Sequence, residues 1–411
     1  MRRGDFCGKM QKKRLKQTEE YAMRELLQNA MRRMVENHQV SGLSLRVERG
    51  GEELCFLTEG MADLAAGIPM ARDTIFRLYS MTKPICGAAA MILMERGELD
   101  LFTPVEELIP AFAGQRVWEN GQLRPAKRPI VVHDLLQMTS GLSYPVPELE
   151  TGRQTGEIFE ELHRRLHGGA PMTTREFADT IGGCGLAFDP GTSWRYSVSA
   201  DILGAVIEVV SGRKLSGFLE QEIFAPLNMR DTAFWVPPEK QCRLARTYQP
   251  APDGGGMEEY TLDYLGILNR MDTPPAFESG GAGLASTLED YARFARMLRR
   301  FGELDGVRIL RPATVRHFTA GELMPQPQSH FDHDRGRLYG HTYGNLMTVC
   351  KNPGQAAMLA RRGEYGWDGA LGMYFSNLPE EDVTILIGMQ KFDGQKWELV
   401  RRFRNIILSH L

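Results

Sequence analysis

The chain has 411 residues, of which 42% are hydrophobic, and this is enough for a large buried core in about two or three structural units. A formal net charge of −3 gives no indication of an acidic partner, so neither nucleic acid nor an anionic membrane is expected as the main partner. No stretch approaches the ~18 consecutive apolar residues that a membrane-spanning helix needs.

The N-terminal region is predicted to be a tail followed by a helix and two strands. Residues 1–17 are rich in Lys and Arg and lack the apolar run of a signal peptide, which predicts a basic, flexible tail. Apolar residues recur at helical spacing over residues 18–37. Alternating apolar residues on both sides of Gly50-Gly51 then predict two strands joined by a glycine turn.

The middle of the chain carries mainly helical patterns, separated by loops rich in Pro and Gly. The predicted helices lie around residues 84–96, 133–138, 174–181, 200–210, 214–224 and 288–300. Near the C-terminus, apolar residues alternate from Leu371 to Phe375, and a second strand follows from Val383 to Met389. A final helix runs through Trp397 to Ile407.

The two ends of the chain mirror each other, since a helix and two strands at one end match two strands and a helix at the other. This predicts an α/β (α+β) fold in which both ends form one antiparallel sheet flanked by terminal helices, with a mainly helical region inserted. The predicted sheet domain comprises residues 18–83 and 286–411, and the helical domain comprises residues 84–285. The candidate site described next is expected at the interface of the two domains.

The tetrad Ser80-Met81-Thr82-Lys83 has the pattern S-x-x-K and precedes an apolar helical run that ends near Gly97. Residues three apart on a helix share a face, so the Lys83 amine can reach the Ser80 hydroxyl. A serine hydroxyl becomes a good nucleophile when a base removes its proton. The alternative for Ser80 is an ordinary N-cap serine.

A second S-x-x-K tetrad begins at Ser211. Gly212 follows the apolar run Ile202–Val210, which places Ser211 at the C-terminus of a helix. The positive end of the helix dipole, which lowers the pKa of a neighbouring lysine and so lets it act as a base, lies at the N-terminus of a helix, and Ser211 is at the opposite end. The sequence context therefore selects Ser80.

Two further motifs carry residues of interest for the same site. Tyr196 is predicted on a loop at the entrance of a helix that begins near Ser199, where its phenol can exchange protons with the S-x-x-K pair. The alternative is a tyrosine that packs over that helix. In the segment 367–370, Gly369 allows the backbone to approach a ligand closely, or simply starts a glycine-rich strand.

Other candidates indicate neither a metal nor a cofactor. The segment from Ser329 to Asp334 (SHFDHD) has no H-E-x-x-H spacing and is predicted to be a solvated loop, so no metal site is expected. No nucleotide-binding motif occurs, and His133 is expected to cap or pack on its helix. Tyr144 is a further candidate for lining the pocket.

The cysteines indicate the cellular compartment. Six of them are scattered along the chain without a C-x-x-C pair, at positions 7, 55, 86, 184, 242 and 350. This pattern predicts reduced, mostly buried thiols in a cytoplasmic protein, rather than a disulfide framework or a zinc site.

The order of the motifs resembles the serine β-lactamase and penicillin-binding-protein superfamily. The similarity is to the class C β-lactamase fold, and within it more closely to the family VIII carboxylesterases. It extends from about residue 20 to the C-terminus, and it is supported by the segments His133–Leu136, Thr139–Leu142, Trp235–Pro238 and Gly280–Leu284.

This resemblance implies roles for the residues of the site. Ser80 would be the acylated nucleophile, and Lys83 and Tyr196 would share the work of general base and general acid. The backbone amides of Ser80 and Ala370 would form the oxyanion hole, where loss of one donor typically lowers the rate by ~10²–10³.

The chain departs from the β-lactamase pattern at two positions. Val198 stands where β-lactamases have the asparagine of Tyr-x-Asn, so the amide that would hold an antibiotic side chain is missing. Trp367 stands where they have the lysine of Lys-Thr-Gly, and Asp368 adds a negative charge beside it. Val198, Trp367 and Gly369 are therefore expected to line a pocket for neutral acyl groups.

These observations predict a cofactor-independent serine hydrolase of the carboxylesterase type, which cleaves small neutral acyl esters through a Ser80 acyl-enzyme. An acyltransferase, a D-alanyl peptidase or a weak β-lactamase would use the same acyl-enzyme. The alternative from another class is a non-catalytic ligand-binding protein. The presence of Ser80, Lys83 and Tyr196 together argues against it, and the oligomeric state stays open.

Overall fold

Strands from both ends of the chain form one eight-stranded antiparallel sheet, as the sequence predicts. The computed structural model describes residues 3–392 and 396–411, with side chains from residue 19 onwards. The strands are β1 (Gly42–Arg49), β2 (Glu52–Asp63), β3 (Ile68–Pro69), β4 (Phe76–Arg77), β5 (Arg116–Glu119), β6 (Gln122–Pro125), β7 (Tyr248–Pro250), β8 (Met257–Glu259), β9 (Ala285–Ser286), β10 (Glu303–Leu304), β11 (Val307–Arg308), β12 (His341–Gly344), β13 (Met347–Cys350), β14 (Tyr365–Asp368), β15 (Tyr374–Leu378) and β16 (Val383–Met389).

The α-helices are α1 (Arg3–Glu36), α2 (Thr82–Glu95), α3 (Val105–Leu108), α4 (Val132–Gln137), α5 (Glu150–Leu166), α6 (Thr174–Gly182), α7 (Ser199–Ser211), α8 (Leu215–Leu219), α9 (Leu288–Arg299), α10 (Pro312–Phe318), α11 (Pro325–Asp334) and α12 (Lys396–Ser409). A five-residue π-helical segment continues α8, and a 3-10 turn, Tyr79–Met81, precedes α2. None of the helices in the described ranges combines the length and the hydropathy of a bilayer-spanning segment.

The sheet has the strand order β12-β13-β14-β15-β16-β1-β2-β3, so the two chain ends meet at its centre. There β1 pairs with β16, and Leu45 lies opposite Ile387. Helices cover the sheet, since α1 packs on α12 and β2, and α9 packs on β15 and β16. Because both faces are covered, β1 is buried along nearly its whole length.

Four helices were not predicted from the sequence: α3, α5, α10 and α11. The buried face of α5 has only two apolar side chains, Ile158 and Leu162, beside small or polar residues such as Gly152 and Thr155, so few apolar residues mark this helix in the sequence. In α11, Pro325 occupies the first turn, where its missing N–H removes no hydrogen bond, and the buried ring of Phe331 anchors the helix.

Two sequence-based expectations differ from the structure. The segment from Ser329 to Asp334 is helical, as part of α11, and the prediction of a loop there is wrong. The helix α1 begins at Arg3, within the segment expected to be a flexible tail. Lys, Arg, Gln and Met are good helix formers, and this composition allows the helix to extend toward the N-terminus.

Candidate active site

Ser80 lies in the 3-10 turn that leads directly into α2, so its position at a helix N-terminus follows the prediction. The preceding residue, Tyr79, has a φ of 46°, a left-handed conformation that is strained for a residue with a side chain. Leu284 holds this turn from the other side, because its carbonyl accepts from the Leu78 N–H (2.8 Å) and its N–H donates to Thr82 Oγ1 (3.1 Å). The turn is thus fixed on both sides of Ser80.

Lys83 is fully buried and donates to three oxygens. Its Nζ lies 3.2 Å from Ser80 Oγ, 3.1 Å from the Tyr144 hydroxyl and 2.8 Å from the Gly281 carbonyl oxygen. A protonated Lys83 can donate to all three oxygens, whereas the neutral amine can donate to two of them and accept from the Ser80 hydroxyl. Burial, reinforced by the nearby charge of Asp201, raises the pKa of Tyr144 well above its usual range and keeps this acceptor a neutral phenol.

Tyr196 presents its ring, rather than its hydroxyl, to Lys83. The ring centre lies 4.6 Å from Lys83 Nζ, which is cation–π distance. The hydroxyl accepts a hydrogen bond from Trp367 Nε1 (3.1 Å), and the Arg335 guanidinium stacks 4.7 Å from the same ring. The structure therefore brings Tyr196 to the site, with Tyr144 supplying the hydroxyl that contacts the lysine.

Asp201 and Gly281 hold Lys83 in place through a chain of hydrogen bonds, and neither was predicted as a site residue from the sequence. The buried carboxylate of Asp201 accepts from Ser279 Oγ and from the Gly281 N–H (3.0 Å), and the Gly281 carbonyl in turn accepts from Lys83. Burial raises the pKa of Asp201, while the positive charge of Lys83 opposes that shift. The sequence signal for Asp201 is its position as an acidic residue in the first turn of a predicted helix. Acidic residues are common there because they interact favourably with the helix dipole, so this signal does not identify a site residue.

Gly281 cannot carry a side chain in this arrangement. A Cβ there would lie 2.7 Å from Asp201 Oδ2 and 3.0 Å from the Tyr144 hydroxyl. Both distances are shorter than normal carbon–oxygen contacts, so a larger residue would displace two groups that surround Lys83.

The end of β14 lies against the turn that carries Ser80. A Cβ on Gly369 would lie 2.2 Å from the Leu78 carbonyl oxygen, so this close approach requires glycine. The next residue, Ala370, is partly exposed, and its N–H has no acceptor within the described part of the chain. Such an N–H is free to bind a ligand oxygen.

Of the predicted pocket residues, Trp367 packs between Tyr196 and Tyr343, with ring centres 5.5 and 5.1 Å away. Val198 is different, because it is completely buried in the hydrophobic core just before α7. It presents no surface to a ligand, so the expectation that Val198 lines the pocket is not met.

The charge at Asp368 also differs from the expectation. The Lys396 ammonium at the start of α12 pairs with the Asp368 carboxylate and donates to the Gly369 carbonyl. Asp368 is therefore not the free negative charge that the sequence suggested. Lys396 begins α12 and Arg335 is the C-cap of α11, and no local sequence motif indicates that either contacts this site.

Replacing Tyr144 with phenylalanine is expected to lower kcat for a small ester by about tenfold to a hundredfold. Lys83 would lose one of three acceptors, and a hydrogen bond to a charged group contributes about 1.5–3 kcal/mol. Steady-state kinetics on the two proteins measures this effect. Tyr365→Phe is the matched control, since the Tyr365 hydroxyl accepts one hydrogen bond from Asn377 (3.0 Å) in the core. An unchanged kcat in Tyr144→Phe would show that Tyr144 only packs there.

Comparison with known proteins reveals similarity along nearly the whole chain. The family model described as Beta-lactamase matches residues 27–408. An uncharacterized protein of Mycobacterium tuberculosis is 32% identical over 339 residues, which are 80% of this chain and 81% of that protein. Esterase EstB of Burkholderia gladioli is 30% identical over 376 residues, which are 88% of this chain and 89% of that protein.

A solved structure shows that the similarity extends to the fold. EstCE1, described as a hydrolase with promiscuous acyltransferase activity, superposes with a TM-score of 0.78 at 23% identity. The superposition covers 94% of this chain and 99% of the EstCE1 chain. The antiparallel sheet and its flanking helices are thus an architecture found in known hydrolases.

Proposed function

The chain belongs to the β-lactamase family, and on that premise we propose that it is a serine hydrolase of the carboxylesterase type, which cleaves small neutral acyl esters through an acyl-enzyme at Ser80. The observation that carries the proposal is the buried Lys83 amine, 3.2 Å from Ser80 Oγ and enclosed by Tyr144, Tyr196 and Gly281. The similarity to Esterase EstB over most of both chains supports the same activity.

In the proposed reaction, the neutral amine form of Lys83 accepts the hydroxyl proton on its nitrogen lone pair as Ser80 Oγ attacks the ester carbonyl carbon. The N–H groups of Ser80 and Ala370 stabilise the negative charge that develops on the carbonyl oxygen. The C–O bond of the ester then breaks, and the leaving alkoxide takes the proton that Lys83 accepted from Ser80. Water attacks the acyl-enzyme in the second half, which releases the acid and returns the proton to Ser80.

We place this site between a sheet domain, residues 18–83 and 286–411, and a helical domain, residues 84–285. The division is supported by the positions of the proposed catalytic residues in the chain. Ser80 and Lys83 lie at the end of the first segment of the sheet domain, and Tyr196 lies in the helical domain. A cytoplasmic location is likewise a proposal, supported by four buried free thiols at Cys55, Cys86, Cys184 and Cys350.

The substrate class is tested by comparing a p-nitrophenyl ester with a chromogenic cephalosporin. We expect ready turnover of p-nitrophenyl acetate or butyrate and a kcat/KM for the cephalosporin lower by at least ~10³. A cephalosporin carboxylate would meet the indole of Trp367, and the nearby Lys396 is already engaged by Asp368 and Gly369. Position 198 offers no side-chain amide in any case.

Both substrates are measured on one preparation, with Ser80→Ala as the baseline for background hydrolysis. Comparable catalytic efficiencies, or a preference for the cephalosporin, would contradict the esterase proposal and favour β-lactamase activity.

A further inference from the structure

Two histidines and an aspartate meet on the surface, away from Ser80. His163 lies in the last turn of α5 and His167 at its C-cap, so the two imidazoles are four residues apart on one helix face. Asp263, on the loop that precedes Asn269, reaches the same place, and its Oδ2 lies 2.8 Å from His167 Nε2. One donor atom from each of the three residues lies within 4.8 Å of the other two.

We propose that His163, His167 and Asp263 form a binding site for one Zn²⁺ ion or a similar late first-row divalent cation. Imidazole nitrogens and a carboxylate oxygen suit such ions, and an H-x-x-x-H pair on a helix presents both rings from one side. Three protein ligands leave a fourth tetrahedral position for water, which the exposure of both histidines permits.

The distances are close to what this coordination needs. With metal–ligand bonds of about 2.0–2.1 Å, tetrahedral donor atoms stand roughly 3.3 Å apart. Asp263 and His167 must therefore separate slightly from 2.8 Å, and the His163 ring must move inward by up to ~1.5 Å to bring a spacing of at most 4.8 Å to that value. Exposed imidazoles at the end of a helix make such adjustments by rotation about the side-chain bonds.

Asp263 is already oriented for this role. Its side chain is only 13% exposed, and Oδ1 accepts the Asn269 N–H at 2.7 Å. That bond holds the carboxylate so that Oδ2 faces the histidines, which is how supporting hydrogen bonds orient metal ligands in general. A surface ion pair would involve only Asp263 and His167. The ring centre of His163 lies 5.1 Å from that of His167, so a third possible ligand stands beside this pair.

A metal at this place would connect α5 to the loop of residues 263–269, which contacts the turn Tyr79–Met81 that carries Ser80. The same loop carries Tyr264, whose ring centre lies 5.9 Å from that of Tyr79, and its Asn269 carbonyl accepts from the buried Arg77 (2.6 Å). Binding would therefore stabilise the wall beside Ser80 without contacting the reacting atoms.

The test is calorimetric titration of the untagged, chelator-treated full chain with Zn²⁺ alone. We expect one ion per chain with a Kd on the order of 10 µM or tighter, and a melting temperature raised by about 2–5 °C when Zn²⁺ is 100-fold above Kd. His163→Gln and His167→Gln should each weaken binding at least tenfold, with folding checked by circular dichroism.

The double variant His330→Gln/His333→Gln is the matched control, because it removes two other exposed histidines, on α11. Unchanged affinity in this control supports the site. Binding weaker than ~1 mM by the wild type, equal affinity in His163→Gln and His167→Gln, or loss of binding in the control would each overturn the proposal.

Discussion

Replacing Ser80 with alanine is expected to lower kcat/KM for a small ester by about 10⁵-fold or more and to abolish covalent labelling by a fluorophosphonate. Without Oγ no acyl-enzyme forms, and residual catalysis would come only from binding and the oxyanion hole. Ester kinetics measures the first effect, and peptide mass spectrometry after labelling measures the second. The backbone turn and the α2 helix need no contribution from the hydroxyl, so folding should be preserved.

Ser211→Ala is the control, because Ser211 opens the second S-x-x-K tetrad of the chain. It lies at the end of α7, where its hydroxyl donates to the Ile207 carbonyl (2.6 Å). Turnover and labelling should survive this change nearly intact. An adduct on Ser211, or on any serine other than Ser80, would refute the assignment of the nucleophile.

Replacing Lys83 with methionine is expected to lower kcat by about 10⁴-fold while KM changes little. Methionine has a similar length and fills the same buried space, but it accepts no proton from Ser80. The loss should fall on kcat because the proton moves in the transition state. Steady-state kinetics over a range of ester concentrations separates the two parameters.

Lys214→Met gives the corresponding control in the second tetrad. Lys214 is exposed and precedes α8, so no change in kcat is expected there. A Lys83→Met enzyme with near-normal kcat would exclude Lys83 as the base. Loss of cooperative thermal unfolding in that variant would instead indicate that the Gly281 carbonyl and the Tyr144 hydroxyl need the ammonium as a donor.

The parts of the site that follow from short-range geometry could be predicted from the sequence. Ser80 and Lys83 are three residues apart at the start of a helix, so their contact is local. The two terminal strand pairs were also predictable, because apolar alternation and turn residues are local signals. The confirmed antiparallel sheet rests on these signals together with the mirrored order of the chain ends.

The remaining parts depend on tertiary contacts that no periodic pattern encodes. Asp201, in the first turn of α7, contacts Gly281 on a loop much later in the chain, and Lys396 reaches Asp368 from α12, two strands further along the chain. Val198 also shows that a sequence motif does not determine tertiary packing. Its place in the motif predicted a pocket residue, but packing at the start of α7 buries it completely.

The central pairing of β1 with β16 has a consequence for how the protein is made. Leu45 and Ile387 are neighbours in space but almost a chain length apart in sequence, and such contacts form slowly because a long loop must close first. During synthesis β1 emerges early with one edge unpaired, and exposed strand edges attract other chains. The helix with Ser80 and Lys83 can form at that stage, but the strand that closes the site, β14, is translated much later. A nascent chain therefore remains both inactive and prone to aggregation until residues 365–389 have left the ribosome.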